Sequence, residues 1–264
     1  MLAEERRQQI LEWIRKEGKV IAKDLSEKFE MSIDSIRRDL TIMEDQGLLK
    51  KTYGGAILNT PSPKVRTLPM PDSNRYGESA AHQDAISKKA ASFINHHDTV
   101  FIGGAGIQYG MLKHLPTDFP FTVITNSIKI AEDIRKLENI TSYLIGGRLR
   151  FESSGIIDTL AIEMISKFTI DTCFLTGGGI TENGISTATP EGAAFTRAVS
   201  KVSRQRICLA PHEKMGHQMF VVSIPIETID IMITDIEASE TTIQHIQRRK
   251  VKVTFANKQD TKEV

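Results

Sequence analysis

Between Glu30 and Gly55 the chain reads EMSIDSIRRDLTIMEDQGLLKKTYGG, and this stretch constrains the fold more than any other. Ser32 suits a helix N-cap, because its side-chain oxygen accepts an amide hydrogen that the first turn leaves unpaired. Ser35, three places on, supplies a weak version of the reciprocal capping box. Ile36, Leu40 and Met43 recur at i, i+4 and i+7, so they share the face that must be buried. At about 100° per residue, Asp34, Arg38, Thr41 and Asp45 point the opposite way, with Ser35 and Arg37 on the flanks. Gly47 is read as the residue that stops this helix. Leu48 to Tyr53 then alternates loosely between apolar and Lys/Thr/Tyr residues, and Gly54-Gly55 is read as the turn of a short basic hairpin.

A second amphipathic segment precedes it. Ile21, Leu25 and Phe29 stand at four-residue spacing, and only Glu30 and Met31 separate that segment from Ser32. Two short helices joined by so tight a turn, the second carrying Arg37-Arg38, read as a helix-turn-helix with the hairpin as its wing. The competing reading is a small helical bundle with a merely solvated charged face, which does not call for an arginine pair, a capped short helix and Lys50-Lys51 together. A further helix, about Glu4 to Glu17, carries Ile10, Leu11 and Ile14 as its stripe, and Gly18 stops it.

Charge does not announce a nucleic-acid partner. The formal net charge is +1, and residues 1–58 hold eleven Lys/Arg against eleven Asp/Glu. The reading rests on the clustering of Arg37, Arg38, Lys50 and Lys51, which leaves specificity to a few contacts. The start, MLAEERRQQ, does not resemble a signal peptide, and no apolar run is long enough for a membrane span, so a cytoplasmic protein is expected. Cys173 and Cys208 sit in separate apolar runs and read as small buried hydrophobes of a reducing compartment.

Residues 59–76 contain Pro61, Pro63, Pro69 and Pro71 among Ser, Asn and Asp, and are expected to link two domains. From Gly77 the period changes. Short apolar strands (Thr99–Gly103, Phe121–Thr125, Tyr143–Ile145, Thr172–Thr176, Arg206–Ala210, Ile231–Thr234, Val251–Phe255) alternate with helical segments, among them His82–Ile94, Ile128–Leu137, Ile156–Lys167, Glu191–Val202 and Thr241–Arg249. That alternation predicts an α/β domain, residues 77–264, around a mostly parallel sheet.

Ligands in such sheets bind outside the carboxyl ends of the strands. There the sequence gathers Gly103 to Ile107, Thr125-Asn126-Ser127, Gly146-Gly147-Arg148, Gly177 to Gly179 and Pro211 to Lys214. Glycines permit close backbone approach, helix starts near Ile107 and Ile128 offer amides to an anion, and Thr125, Ser127 and Lys214 add hydroxyls and a cation. A small phosphorylated molecule fits this collection; tight turns of an α/β fold are the plainer alternative. Gly104, Gly106, Thr125, Asn126, Ser127, Gly146, Gly147, Gly178, Gly179 and Lys214 are therefore candidate effector-binding residues.

Taken together, R-x-x-x-I-L (Arg7 to Leu11), D-L (Asp24-Leu25), Phe29, S-x-x-S-I-R-R-D-L (Ser32 to Leu40), E-x-x-G-L-L (Glu44 to Leu49) and Y-G-G-A (Tyr53 to Ala56) resemble the DeoR family of bacterial transcription regulators. So do V-I-T-N-S (Val123 to Ser127), Gly146-Gly147, F-L-x-G-x-G-I (Phe174 to Ile180), E-x-A-x-x-x-R-A (Glu191 to Ala198) and I-T-D (Ile233 to Asp235), the fourth of which adds Glu191 to the candidate effector set. The resemblance implies a winged helix-turn-helix joined to a sensor domain similar to ribose-5-phosphate isomerase, in a homo-oligomeric repressor of a sugar-catabolic operon released from DNA by a sugar phosphate. Departures sit in the sensor. The family's D-x-G-T-T is here Gly103-Gly104-Ala105-Gly106-Ile107, a Lys is Asp84, A-D-S-S-K-F-G is Ala210 to Gly216, and the second Glu of E-E-A is Gly192. Backbone amides after Gly104 remain to hold a phosphate, and sugar recognition is expected to be altered or replaced.

The expected partner is double-stranded operator DNA. The third helix should enter the major groove with Arg38 on a base edge, supported by Ser35 and Thr41. Ser32 and Arg37 should meet phosphates, and Lys50, Lys51 and Tyr53 should place the wing on the backbone or in the minor groove. No cofactor is expected. Gly104-x-Gly106-x-x-x-Gly110 is one residue too long for a dinucleotide-binding turn. His212-Glu213-Lys214-Met215-Gly216-His217 is likewise too long for H-E-x-x-H, so that spacing predicts no metal. The competing class is a sugar-phosphate isomerase or deaminase of the same fold, using Glu191, Glu213 or Lys214 for proton transfer.

Overall fold

The computed structural model describes residues 3–45, 48–58, 76–150 and 155–256. The chain divides into two compact units, Met1–Ser62 and Pro63–Val264. The expected helix stop at Gly47, and the expected linker apart from Tyr76, lie outside the described residues.

The first unit contains α1 (Ala3–Glu17), β1 (Lys19–Ile21), α2 (Ala22–Phe29), α3 (Ile33–Asp45), β2 (Leu49–Thr52) and β3 (Gly55–Leu58). Ile10, Leu11, Ile14, Leu25, Ile36, Leu40 and Met43 are buried in one cluster as expected, with Phe29 partly buried against it, whereas Ile21, expected in the stripe of the second helix, ends β1 and is exposed. Strand β1, absent from the sequence reading, pairs antiparallel with β3, giving a sheet of order β1-β3-β2. The hairpin turn also differs from expectation. Thr52 pairs with Gly55, so Tyr53-Gly54 is the two-residue turn and Gly55 begins the return strand. Gly54 takes the positive φ, +94°, while Gly55 lies so close to the Val20 carbonyl of β1 that a Cβ there would overlap it. One glycine serves the turn and the other the close approach of two strands.

The second unit is built on a seven-stranded sheet of β4 (Thr99–Ile102), β5 (Phe121–Thr125), β6 (Ile140–Leu144), β7 (Ile170–Leu175), β10 (Ser203–Leu209), β12 (Ile231–Thr234) and β13 (Lys252–Phe255). The order is β13-β12-β10-β7-β4-β5-β6, and every pairing is parallel. Residue parity divides the strands between two cores. Val100, Ile102, Val123, Phe174, Ile207, Leu209, Ile231 and Ile233 line one face, and Phe101, Ile124, Cys173, Leu175, Cys208 and Met232 the other. Both faces are covered, as parallel sheets require. The helices around them are α4 (Ala81–Ala91), α5 (Gly106–Gly110), α6 (Ile128–Ile134), α7 (Thr159–Ile165), α8 (Pro190–Val202) and α9 (Glu240–Arg248).

Several boundaries move by a few residues from the sequence reading: β10 starts at Ser203 rather than Arg206, α4 ends at Ala91 rather than Ile94, and α6 ends at Ile134 rather than Leu137. Strand β6 starts at Ile140 rather than Tyr143, and α7 starts at Thr159 rather than Ile156 because the Asp158 carboxylate caps it, accepting from the Ala161 amide at 3.0 Å. A second, antiparallel sheet escaped the sequence reading: β8 (Gly179–Thr181), β9 (Gly184–Thr187) and β11 (Val221–Ile224), in the order β11-β9-β8. A signal was present in Asn183-Gly184 between two apolar runs, although the turn itself is Glu182-Asn183 and Gly184 begins the return strand.

Candidate nucleic-acid interface and sensor site

In α3 the apolar stripe faces inward, and Ser32, Asp34, Arg37 and Arg38 are exposed. The cap forms as expected: Ser32 Oγ accepts from the Ser35 amide at 3.2 Å and lies 2.9 Å from Ser35 Oγ. Arg37 reaches back to Asp34 at 3.3 Å, a pair with both side chains largely in solvent and so weakly held. Arg38 makes no hydrogen bond or ion pair among the described residues, which leaves all its donors to a partner.

Two residues expected at DNA are engaged within the unit. Thr41 Oγ1 donates to the Arg37 carbonyl at 2.8 Å and accepts from Lys51 Nζ at 2.8 Å. The Lys51 amide also donates to Glu44 Oε1 at 2.8 Å. Lys51 and Thr41 thus fasten the wing to the third helix. The cause is strand parity: Leu49 and Lys51 face the helix, while Lys50 is turned to the other side and is exposed. Tyr53 stands fully exposed at the wing tip. Of the residues expected at DNA, those left exposed are Ser32, Arg37 and Arg38 on the helix and its cap, and Lys50 and Tyr53 on the wing.

Strand order reverses at β4, which has β5 on one side and β7 on the other. Loops following β4, β5, β6 and β7 hold most of the candidate sensor residues. Gly104 follows β4, where its carbonyl accepts from Tyr76 Oη at 3.1 Å, and Gly106 opens α5. Gln108 caps this turn from within, accepting from the Ala105 amide at 3.0 Å and donating to the Phe174 carbonyl at 2.6 Å. Thr125 and Ser127, expected to offer hydroxyls, are fully buried. Thr125 Oγ1 accepts from the Ser127 amide at 3.1 Å, and Ser127 Oγ caps α6 at Ile130. Their hydroxyls build the turn and are not presented to a ligand. Asn126 donates to the Ile156 carbonyl at 3.0 Å, while its Oδ1 is buried with no hydrogen-bond partner among the described residues.

Gly179 is buried in β8 against the His217 carbonyl, where a Cβ would overlap, so its role is packing. Gly178 is exposed beside it and donates to the Ser186 carbonyl at 2.9 Å. Gly146 and Gly147 lead into Arg148, whose amide donates to Asp158 Oδ2 at 2.7 Å. A cavity of about 290 Å³ opens here, lined by Arg148, Arg150, Ile157, Asp158, Thr159 and Glu191. It brings Glu191 into one cavity with Arg148, which follows the Gly146-Gly147 turn, and adds Arg150, which sequence reading did not single out. The amides of Ala161 and Arg148 hold the Asp158 carboxyl below the usual carboxylate range. A cavity lined by two arginines and two carboxylates holds cations for a phosphate and acceptors for hydroxyl donors.

Lys214 lies in a short turn after β10 together with His212 and Glu213. Around that turn His82, His212, Glu213 and Asp235 converge, their ligand-type atoms all within 4.8 Å of one another. Sequence spacing tested His212 against His217; the fold instead brings in His82 from α4 and Asp235 from the end of β12. Burial pushes up the carboxyls of Glu213 and Asp235, but hydrogen bonds outweigh it and both end below the usual range. For Glu213 the donors include Gln83 and His82; for Asp235 they are the His212 and Glu237 amides and the His212 ring. Cys173 and Cys208 are free and buried, and desolvation pushes each thiol up to about 12, so neither is a thiolate at neutral pH. No helix among the described residues is long and apolar enough to cross a membrane.

Comparison with known proteins gives two family matches. Residues 6–62 match the DeoR-like helix-turn-helix domain, and residues 78–236 match the DeoR C terminal sensor domain. The chain is 32% identical over 235 residues to the HTH-type transcriptional repressor GlcR of Bacillus subtilis (strain 168), covering 89% of each protein. It is 29% identical over 227 residues to the glycerol-3-phosphate regulon repressor of Escherichia coli (strain K12), covering 86% of this chain and 88% of that one. Among solved structures, ribose 5-phosphate isomerase A from Methanocaldococcus jannaschii is similar at 10% identity and a TM-score of 0.34, over 50% of this chain and 53% of that one, a likeness too distant to carry a functional argument.

Proposed function

Because the chain belongs to the DeoR family of helix-turn-helix transcriptional regulators, whose members found here are regulators and not enzymes, we propose that it represses a carbohydrate-utilisation operon and leaves its operator when a small phosphorylated sugar or related anion occupies the second unit. The observation that carries the DNA half is Arg38: exposed on the face of α3 opposite the core, beside a wing fastened by Lys51, with no hydrogen bond or ion pair among the described residues. A guanidinium so placed reads the O6 and N7 acceptors of guanine in the major groove, while Arg37 and Lys50 meet phosphates. Footprinting of the full chain on the promoter regions flanking its own gene tests this. A protected site that Arg38→Ala abolishes supports the reading; no protection at any salt concentration overturns it.

The effector half rests on the cavity. Arg148 and Arg150 supply the cations that the Gly103–Ile107 loop lacks, and Asp158 and Glu191 supply acceptors for hydroxyls. A relative named for the glycerol-3-phosphate regulon supports a phosphorylated polyol or sugar as the class. An effector changes DNA affinity only by binding two arrangements of the protein unequally. A homo-oligomer would supply the two arrangements; the exposed Tyr143 and Leu144 on edge strand β6 and Leu160 on α7 support one, and sedimentation of the full chain tests it. For the effector, the full chain is unfolded thermally with phosphosugars and with their unphosphorylated partners. At ~100 times its dissociation constant, a ligand adds about 2.7 kcal/mol. A shift given by one phosphosugar and lost in Arg148→Ala/Arg150→Ala supports the cavity; a shift unchanged in that variant places the ligand elsewhere.

A further inference from the structure

We propose that His82, His212, Glu213 and Asp235 form a binding site for one borderline divalent transition-metal cation of the Zn²⁺ class. Three segments distant in sequence supply the four groups: the first turn of α4, the short turn after β10 and the end of β12. His82 Nε2 stands 3.1 Å from Glu213 Oε2. That oxygen stands 3.7 Å from His212 Nδ1, which in turn is 2.9 Å from Asp235 Oδ1. Tetrahedral zinc with bonds of about 2.0–2.1 Å places its donors roughly 3.4 Å apart. The three separations above lie within about 0.5 Å of that, and the remaining pairs, all within 4.8 Å, close around the ion by side-chain rotation.

The surroundings orient the donors. Asp235 Oδ2 accepts from the His212 amide at 2.9 Å, and the Glu237 amide donates to Oδ1 at 3.0 Å, which fixes the carboxylate plane. Glu213 Oε1 accepts from Gln83, leaving Oε2 toward the two rings. His212 Nε2, directed away from the cluster, lies 3.6 Å from Glu237 Oε2. A carboxylate behind the outer nitrogen of a metal-binding imidazole is the usual support for such a ligand. The Asp235 side chain is only 3% exposed, so its charge is held away from water and a dication there would be strongly stabilised. When the ion binds, the His212–Asp235 hydrogen bond is replaced by two metal–ligand bonds, and any proton on the ligating nitrogens passes to solvent. Two imidazoles among four donors select zinc-class ions over Mg²⁺ and Ca²⁺, which take oxygen ligands.

The test uses the full chain, stripped with a chelator and titrated calorimetrically with ZnCl₂ in the absence of DNA and sugar, so its failure is distinct from failure of the regulator reading. One Zn²⁺ per chain is expected, uncompeted by excess Mg²⁺. Affinity should fall about 10–100-fold in Glu237→Gln, the range for a supporting residue. It should fall further in His82→Gln/His212→Gln and stay unchanged in His96→Gln/His97→Gln. Absence of saturable binding, or binding that survives in His82→Gln/His212→Gln, overturns the site. Should the double variant fail to fold, Co²⁺ loaded into the unsubstituted chain decides. Tetrahedral d–d bands without thiolate charge transfer support the four ligands. Thiolate charge transfer or an octahedral spectrum excludes them.

Discussion

Arg6 Nε donates to Asp39 Oδ2 at 2.7 Å, joining α1 to the third helix through a pair of side chains that are each less than a tenth exposed. Arg7 Nε stands 3.7 Å from the other oxygen of the same carboxylate. Asp39 lies within the run of α3 that packs inward, next to Leu40, and this pair sets how that helix is held against α1. Removing one partner of a buried pair strands a charge and costs about 3–5 kcal/mol. Asp39→Ala should therefore unfold the first unit at markedly lower urea concentration. Arg6→Met/Asp39→Leu, which removes both charges, should recover much of that loss. Equal instability of the single and double variants would deny the pair its role.

Arg38 and Lys50 should separate in a DNA-binding experiment. Arg38→Ala is expected to cost about 1–3 kcal/mol on the operator and to relax the preference at one base pair. Lys50→Ala should weaken operator and random duplex alike and reduce the salt slope by about 1. Lys51→Ala should behave differently from both. It lowers the thermal stability of the first unit, by about 0.5–1.5 kcal/mol, because it releases the wing from Thr41. Binding isotherms across a salt series, with urea unfolding of the same variants, distinguish the three.

What the sequence made legible follows from how far each signal reaches along the chain. The stripe Ile36, Leu40, Met43 and the cap at Ser32 are set by neighbours within one or two helical turns, and the structure has them as read. The alternation of apolar strands and helices likewise revealed the parallel sheet. Strand β1 is three residues long and is defined only by its partner β3, so local periodicity could not reveal it. Thr125 and Ser127 looked like ligand hydroxyls because a buried turn and an open one share the same composition; only burial tells them apart. The cavity of Arg148, Arg150 and Glu191, and the convergence of His82 with His212 and Asp235, are made by the fold. The unusual loops were legible as a set, but not which of their side chains meet.

Asp158 gives a pH dependence whose sign is determined. Its folded carboxyl lies below the usual range because the Ala161 and Arg148 amides donate to it. In the unfolded chain an aspartate titrates near ~3.9. Between those two values the unfolded state binds more protons, so stability rises with pH. The contribution is fully present above about pH 4 and is lost as pH falls through the folded value. Thermal midpoints of the second unit, followed downward from about pH 5, should fall with decreasing pH, and Asp158→Asn should flatten that slope. An unaltered slope in the variant would show that the cap at α7 does not carry it.

Gly54 and Gly55 are adjacent, yet substitution should affect them very differently. Gly54 has open space around it and φ of +94°, so alanine there meets only backbone strain, about 1–2 kcal/mol. Gly55 has no such φ, but an added Cβ would overlap the carbonyl of Val20, whose strand pairs with β3 through Ile21 and Gly55. Relief requires β1 and β3 to part, and β3 is the middle strand of the sheet. Gly55→Ala should cost about 3 kcal/mol or more, at the upper end for forced overpacking. It should also reduce DNA affinity, because the wing loses its support. Urea unfolding of both variants decides the matter. A larger loss at Gly54 would return the turn to Gly54-Gly55 and remove β1 from the sheet.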